Sequence, residues 1–277
     1  MPNIKLSVII PAYHDKYNKN TVEDLLKNSE LGSSLEIIVI QDGFWMPVDW
    51  IVNDPRVRYI HLGANRGMRG AINAGIAISR GEFIGRMDEH CAVGPGMDKI
   101  LTDSCKPNEI MTPRRFYLDP VKWAIMPEKG YVEHEKLVIQ NVSEGVRKFA
   151  GKPDKGRDEK QKDVTISEMT ALQGSFWIVP RKWFKEVCGD ELQTEGYGPT
   201  YNDSVELCMK TWKAGGRLVV NKNTFFAHKH RDFPRTHNNG SPENPSKGEE
   251  GWAYSLSVWE QYYQNELLPA WKGKGII

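Results

Sequence analysis

The chain has 277 residues, 39% hydrophobic and 26% charged, with 37 basic against 36 acidic side chains and a net charge of +1. This is globular composition, which excludes a disordered or low-complexity fibre and fits one large α/β unit as well as two smaller domains. The balanced charge argues against a nucleic-acid binder that works by bulk electrostatics, although it leaves room for a local basic patch.

Leu6–Pro11 (LSVIIP) is a continuous apolar run rich in β-branched residues, and Leu35–Ile40 (LEIIVI) is a second, stopped by Gln41-Asp42-Gly43. Between them Thr21–Leu31 places Val22, Leu25 and Leu26 at helical spacing. A third strand is predicted at Val57–Leu62, a helix at Gly70–Ser79 with Ile72, Ile76 and Ala77 on one face, and a fourth strand at Gly81–Met87. Strands alternating with helices predict a mostly parallel, Rossmann-like sheet flanked by helices, in which ligands sit at the carboxyl ends of the strands. Further on, Glu144–Lys162 is the most charged stretch and reads as a solvated basic loop. Leu172–Val179 is a strand, in which Trp177 is a core candidate, and Asp203–Ala214 is a helix with Val205, Met209 and Trp212 on its buried side. Leu218–Val220 and Thr224–Ala227 read as two short strands, Phe233–Glu250 as a mobile Pro/Gly-rich loop, and Trp252–Leu268 as a closing helix.

Cys91, Cys105, Cys188 and Cys208 form no CxxC pair, so a reducing compartment is expected. No leader-like segment opens the chain and no apolar run approaches the roughly 18 residues of a membrane span. The expectation is a cytoplasmic protein, bacterial or of a virus-infected cell.

Two clusters carry chemistry. In Asp88-Glu89-His90, just after the fourth strand, residues two apart share a face, and carboxylate plus imidazole suits Mn²⁺ better than Mg²⁺. In Ala227-His228-Lys229-His230-Arg231 the two histidines again share a face. Taken alone, the first triplet is common, and the second reads first as a surface His-Lys-His run.

The order of the motifs adds to this. SVIIPAY, QDG, Asn65-Arg-Gly-Met-Arg69 and RGEFIGRMDEHC resemble the nucleotide-sugar half of family 2-type glycosyltransferases with the GT-A fold, which show SVIIPAYNE, DDGS, NxG and DxD. GEFIGRMDEHC, QGSFWIVPRKWF, YNDSVELCMKTWKAGG, AHKHR and SVWEQYYQNEL are similar to segments of the polypeptide N-acetylgalactosaminyltransferases. The resemblance spans roughly residues 5–268 and implies one domain over 1–277. Its nucleotide-sugar half would be about 1–91, and its acceptor half about 92–277, with a lid over 233–250 and a C-terminal helix.

It further implies that Asp88, His90 and His228 hold Mn²⁺ (or Mg²⁺) against the diphosphate of a UDP-sugar, with His230 a weaker candidate. Arg231 and Arg69 would meet phosphate or nucleotide. Asp42, preceded here by Gln41 where the family has aspartate, would meet uracil or ribose, with Asn65 beside it. Pro11, Ala12 and Tyr13 would frame the base, Gly174 and Ser175 would pass the donor sugar, and His237 is a lid candidate. Where inverting relatives place the general base this chain has Ser204, preceded by Asp203; serine is no base at neutral pH, which favours retention. Asp203 is the catalytic candidate and equally a helix N-cap.

The reading is a metal-dependent transferase moving a hexose or N-acetylhexosamine from a UDP-sugar to a hydroxyl. The acceptor is open among glycan, protein, lipid-linked sugar and hydroxymethylated DNA bases, for which the basic loop would supply phosphate contacts. An inverting glycan-extending enzyme, a nucleotidyltransferase and an inactive sugar-nucleotide binder are the alternatives.

Overall fold

The computed structural model describes residues 3–198, 202–230 and 247–277. The first half alternates as the sequence predicts: β1 (Leu6–Ala12), α1 (Asn18–Asn28), β2 (Leu35–Asp42), β3 (Val57–Leu62), α2 (Gly67–Ile78) and β4 (Phe83–Met87). β5 (Cys91–Val93), α3 (Met97–Ser104), β6 (Glu109–Asp119), β7 (Ala124–Ile125) and β8 (Tyr131–Val132) follow. Then come β9 (Glu135–Ser143), β10 (Val146–Pro153), α4 (Lys155–Lys160), β11 (Ile166–Met169), β12 (Phe176–Pro180) and α5 (Arg181–Cys188). The chain closes with α6 (Asp203–Lys213), β13 (Arg217–His228), α7 (Lys247–Tyr262), a π-helical turn (Tyr263–Leu267) and α8 (Leu268–Gly273).

β1 and β2 are apolar almost throughout because both faces of the sheet are covered. Ile9, Ile38 and Ile40 face a core completed by Ala71, Ile72 and Ile76 of α2, by Trp177 and by α5–α8. Val8, Ile10, Ile37 and Val39 face the opposite core, with Val22 and Leu25 of α1 and Met97 and Leu101 of α3. The α2 layer sits very close to β1: a Cβ on Gly75 would overlap the Ile9 side chain. Alanine gains at most about 1 kcal/mol of helix propensity over glycine. Overpacking a filled core costs about 1–3 kcal/mol. Gly75→Ala is therefore expected to lower stability, read as a reduced urea midpoint; an unchanged or raised midpoint would refute the close packing.

The sheet order is β11-β13-β6-β12-β4-β1-β2-β3. β3, β2, β1 and β4 are parallel neighbours. β12 runs antiparallel to both β4 and β6, and β13 is parallel to β6. Two antiparallel steps restore direction, so the carboxyl end of β13 lies at the same edge of the sheet as that of β4. The same reversal brings the N-terminal approach of β12 there, where the Asp88 amide donates to the Ser175 carbonyl at 2.9 Å.

Several expectations change. Glu144–Lys162 is not a solvated loop: Glu144-Gly145 is the two-residue turn of the β9–β10 hairpin, and α4 follows. Phe149 and Leu137 anchor the hairpin in the core, Phe149 meeting the Tyr263 ring edge-on at 5.4 Å. Most of the basic groups there stay exposed, and some of them also make pairs within the fold. Arg147 makes a bidentate pair with Glu260, Arg157 donates to the carbonyls of Glu168, Gly275 and Ile276, and Lys155 pairs with Asp158. The two short strands after α6 are one strand, β13, with a register shift between Asn221 and Phe225. Of the expected loop 233–250, residues 247–250 begin α7, and the rest lies outside the described residues.

Candidate active site

Asp88 and His90 leave the end of β4, and His228 ends β13. Their ligand atoms converge: Asp88 Oδ2 is 3.1 Å from His228 Nε2, His90 Nε2 is 3.2 Å from His228 Nε2, and Asp88 Oδ2 is 4.0 Å from His90 Nε2. Asp15, just after β1, holds His90 Nδ1 at 2.9 Å, which orients the ring and leaves Nε2 to face the other two. Burial works against a charge on Asp88, yet the Arg86 guanidinium at 2.6 Å and the histidines outweigh it and hold the carboxyl well below its usual range. Burial pushes His228 down to about 3 against the pull of Asp88, so its imidazole is neutral and competent to coordinate. One carboxylate and two imidazoles fit a divalent ion of intermediate hardness such as Mn²⁺. A second carboxylate–histidine group, Glu133, His134 and Asp158, has comparable spacing. Its atoms are already taken by Arg114, Lys222, Ser167 and one another, so it reads as a structural network.

Two adjoining hollows share Asp88 and Met68. A recess of about 360 Å³, open to solvent, is lined by Pro11, Ala12, Tyr13, Asp42 and Glu89. Both Glu89 carboxylate oxygens accept from the Tyr13 amide, at 2.9 and 3.1 Å, which fixes the end of β1 over the recess. Asp42 accepts from the Arg66 amide at 2.6 Å, and burial pushes its carboxyl up to about 6. Asn65 donates to the Asp42 carbonyl and accepts from the Gly67 amide. Gly43, at φ +78°, must be glycine for this arrangement, because a Cβ would strike the Asn65 backbone. Gln41 points away from the recess: it is buried and its Oε1 accepts from the Met46 amide, so it shapes the following loop.

The larger hollow, about 1000 Å³ and also open, is lined by Arg86, Arg115, Lys148, Gly174, Ser175, Asn202, Asp203, Ser204, His228, His230 and Trp252. Gly174 and Ser175 both line this hollow, Gly174 against Ser204. Asp203 is the first residue of α6, not its cap; Asn202, at φ +59°, holds that position. Asp203 Oδ2 is buried with no hydrogen-bond partner among the described residues. His230 stands apart from the triad, its Nε2 facing Arg115 Nη1 at 3.2 Å. Trp177 is fully buried, as expected of a core residue.

Arg69 is a correction. It is fully buried, paired with Glu206 of α6, donating to the Gln193 carbonyl at 2.7 Å and stacked on Tyr197 at 4.2 Å. A guanidinium so enclosed ties α2 to α6 instead of facing a nucleotide. Arg231 and His237 lie outside the described residues. Sequence reading missed Asp15, Glu89 and Arg86. Asp15 was findable, since it stands where SVIIPAYNE has its glutamate; Glu89 and Arg86 acquire their partners only through strand pairing.

Glu135, at the start of β9, accepts from Gln173 at 2.9 Å beside Arg115, and burial pushes its carboxyl up to about 7. That is above the ordinary 4.5, so the folded state takes up a proton that the unfolded chain does not. Stability is expected to rise as pH falls from about 7 to about 4.5 and then level off for this group, and Glu135→Gln should lack that increment. Melting temperatures of the two proteins across this window check it; parallel curves would refute the assignment.

Residues 7–188 match the model of glycosyl transferase family 2, and the chain belongs to that family. It is similar to the uncharacterized glycosyltransferase EpsJ of Bacillus subtilis (strain 168), 32% identical over 111 residues, covering 38% of this chain and 31% of the relative. Dolichyl-phosphate beta-glucosyltransferase of Dictyostelium discoideum is 35% identical over 95 residues, covering 29% of each chain. Glycosyltransferase GlyG of Streptococcus pneumoniae serotype 4 (strain ATCC BAA-334 / TIGR4) is 31% identical over 102 residues, covering 35% of this chain and 33% of the relative. The chain spans about a third of the length of these relatives. Its structure superposes on the crystal structure of GalNAc-T7 with UDP, GalNAc and Mn2+ with a TM-score of 0.72 at 17% identity, covering 95% of this chain and 50% of that one. The fold is GT-A, a single α/β domain.

Proposed function

We propose that this transferase uses a UDP-sugar and a divalent metal, Mn²⁺ or Mg²⁺, to move a hexose or N-acetylhexosamine onto a hydroxyl acceptor, with retention at the anomeric carbon. The observation that carries the reading is the convergence of Asp88, His90 and His228, with Asp15 behind His90, at the mouth shared by the two hollows. The recess beside Tyr13 and Asp42 would take the uracil and ribose. Asp88, His90 and His228 would hold the ion, which supplies Lewis-acid stabilisation to the departing diphosphate. Gly174 and Ser175, opposite Asp203, would then orient the sugar in the larger hollow.

Retention is supported by Ser204 at the position of the inverting base. Asp203, whose Oδ2 has no hydrogen-bond partner among the described residues, lies in the same hollow and favours a second reading, an inverting enzyme with Asp203 as base. General-base catalysis contributes roughly 10²–10⁴-fold. The product anomer decides: an α-product from an α-donor supports retention, and a β-product with Asp203→Asn inactive supports inversion. No helix among the described residues is long and apolar enough to cross a membrane. Thermal melting with UDP, with and without Mn²⁺, tests the donor and metal reading: stabilisation by UDP only with metal supports it, and none with any divalent ion overturns it.

A further inference from the structure

Two loops that take no part in the proposed chemistry expose large apolar side chains on either side of the N-terminal end of α1. The loop after β2 (Phe44-Trp45-Met46-Pro47-Val48-Asp49-Trp50-Ile51) leaves Trp45 77%, Val48 85% and Ile51 39% exposed. The loop after β6 leaves Val121 90% exposed beside Trp123, and Ile125, next in β7, is 36% exposed. They are physically joined. Lys19 Nζ donates to the Asp49 carbonyl at 3.0 Å on one side, and the Tyr17 ring stacks on Trp123 at 6.1 Å on the other. Lys16 sits over the Tyr17 ring at 5.2 Å. Lys122 and Lys129 are exposed beside the second loop, whereas the Asp119 carboxylate turns back to accept from the amides of Val121 and Lys122.

Soluble proteins rarely expose such side chains in neighbouring loops, and tryptophan with aliphatic tips and nearby lysines, here Lys16, Lys19, Lys122 and Lys129 against the exposed Asp49 and Glu128, is the chemistry of the lipid headgroup boundary. We infer that this face docks on a bilayer containing anionic lipids, with Trp45, Val48, Ile51 and Val121 entering the interface and Lys16, Lys19 and Lys122 meeting headgroups. The placement matters for the enzyme. Phe44, which roots the first loop, stacks on His14 at 4.5 Å and meets Tyr13 edge-on at 5.9 Å, and Lys229, next to His228, lies over Tyr17 at 5.6 Å. The docking face therefore borders the cleft, so docking would hold the cleft beside the membrane surface.

The test is co-sedimentation of the full chain with vesicles of phosphatidylcholine alone or with phosphatidylglycerol added. Binding is expected to the mixed vesicles, at least tenfold weaker to phosphatidylcholine alone, and weaker with rising salt. The triple variant Trp45→Ser, Val48→Ser and Ile51→Ser should lose at least tenfold in vesicle binding while keeping the wild-type melting temperature and response to UDP. Lys16→Ala with Lys19→Ala should erase the preference for anionic lipid. Absence of wild-type sedimentation, or a triple variant that binds equally well, overturns the inference. So does a wild-type dimer in sedimentation velocity that the triple variant abolishes, because the face would then be covered by a second copy.

Discussion

Asp88→Asn is expected to abolish metal-dependent stabilisation by UDP and to lower turnover by about 10³-fold, since a Lewis acid at a departing oxyanion is worth several kcal/mol. The substitution is close to isosteric, so Arg86, whose Nη2 lies 2.6 Å from Asp88 Oδ1, still finds an amide oxygen and the fold persists. What disappears is the anionic oxygen that shares a point with two imidazoles. Isothermal titration with Mn²⁺, followed by UDP melting, measures this directly. A variant that keeps metal-dependent UDP binding and turnover would remove Asp88 from the ligand set. Asp15→Ala should act more weakly. It loosens the His90 ring without removing a ligand atom, so metal affinity falls by about 10–100-fold. Turnover at saturating metal should recover in this variant, which separates orientation from coordination.

Arg69→Met is expected to destabilise the protein by about 3 kcal/mol, the lower end of the cost of breaking a buried pair, because the fully buried Glu206 keeps Lys210 as a counter-charge. A loss of that size is a large part of the about 5–15 kcal/mol that holds a typical domain folded. The pair lies between α2 and α6, with Tyr197 across the guanidinium face. Arg69→Met combined with Glu206→Leu should recover most of the loss, because an apolar pair of similar volume carries no desolvation penalty. Lys210, which also binds Glu206, is partly exposed and can turn to water in the double variant. Urea unfolding of the wild type, both single variants and the double variant supplies the cycle. A single-variant loss below about 1 kcal/mol would show that the pair is not the buried clamp its geometry implies.

The contrast between these two predictions marks what motif reading can reach. Asp88 and His228 stand 140 positions apart, yet both are visible as short polar runs at strand ends, where an α/β sheet collects its chemistry. Arg69 also stands in a recognisable motif, but its direction depends on α6 packing over α2, which no local pattern encodes. The hairpin over 135–153 was hidden for a related reason. Its lysines and arginines read as a solvated loop and are largely exposed, but Phe149 and Leu137 hold it to the core as a hairpin and Glu260, far along the chain, pairs with Arg147. A local cue did exist in Glu144-Gly145, a turn dipeptide between two alternating runs.

By itself, the sequence determined the alternation of strands and helices, the near-exact bounds of β1–β4, the family-type motif order and the three ligand candidates. Apolar runs and strand-end polar residues are local signals that do not need the fold to be seen. Only the tertiary structure decided that Asp88, His90 and His228 meet at one point, because that requires two antiparallel steps between β4 and β13. It also decided that Arg69 is a buried clamp, that Asp15 stands behind His90, and that two exposed loops both contact the start of α1. Each of these depends on which elements pack together, and burial and pairing between distant residues are properties of the packed sheet that composition and spacing do not carry.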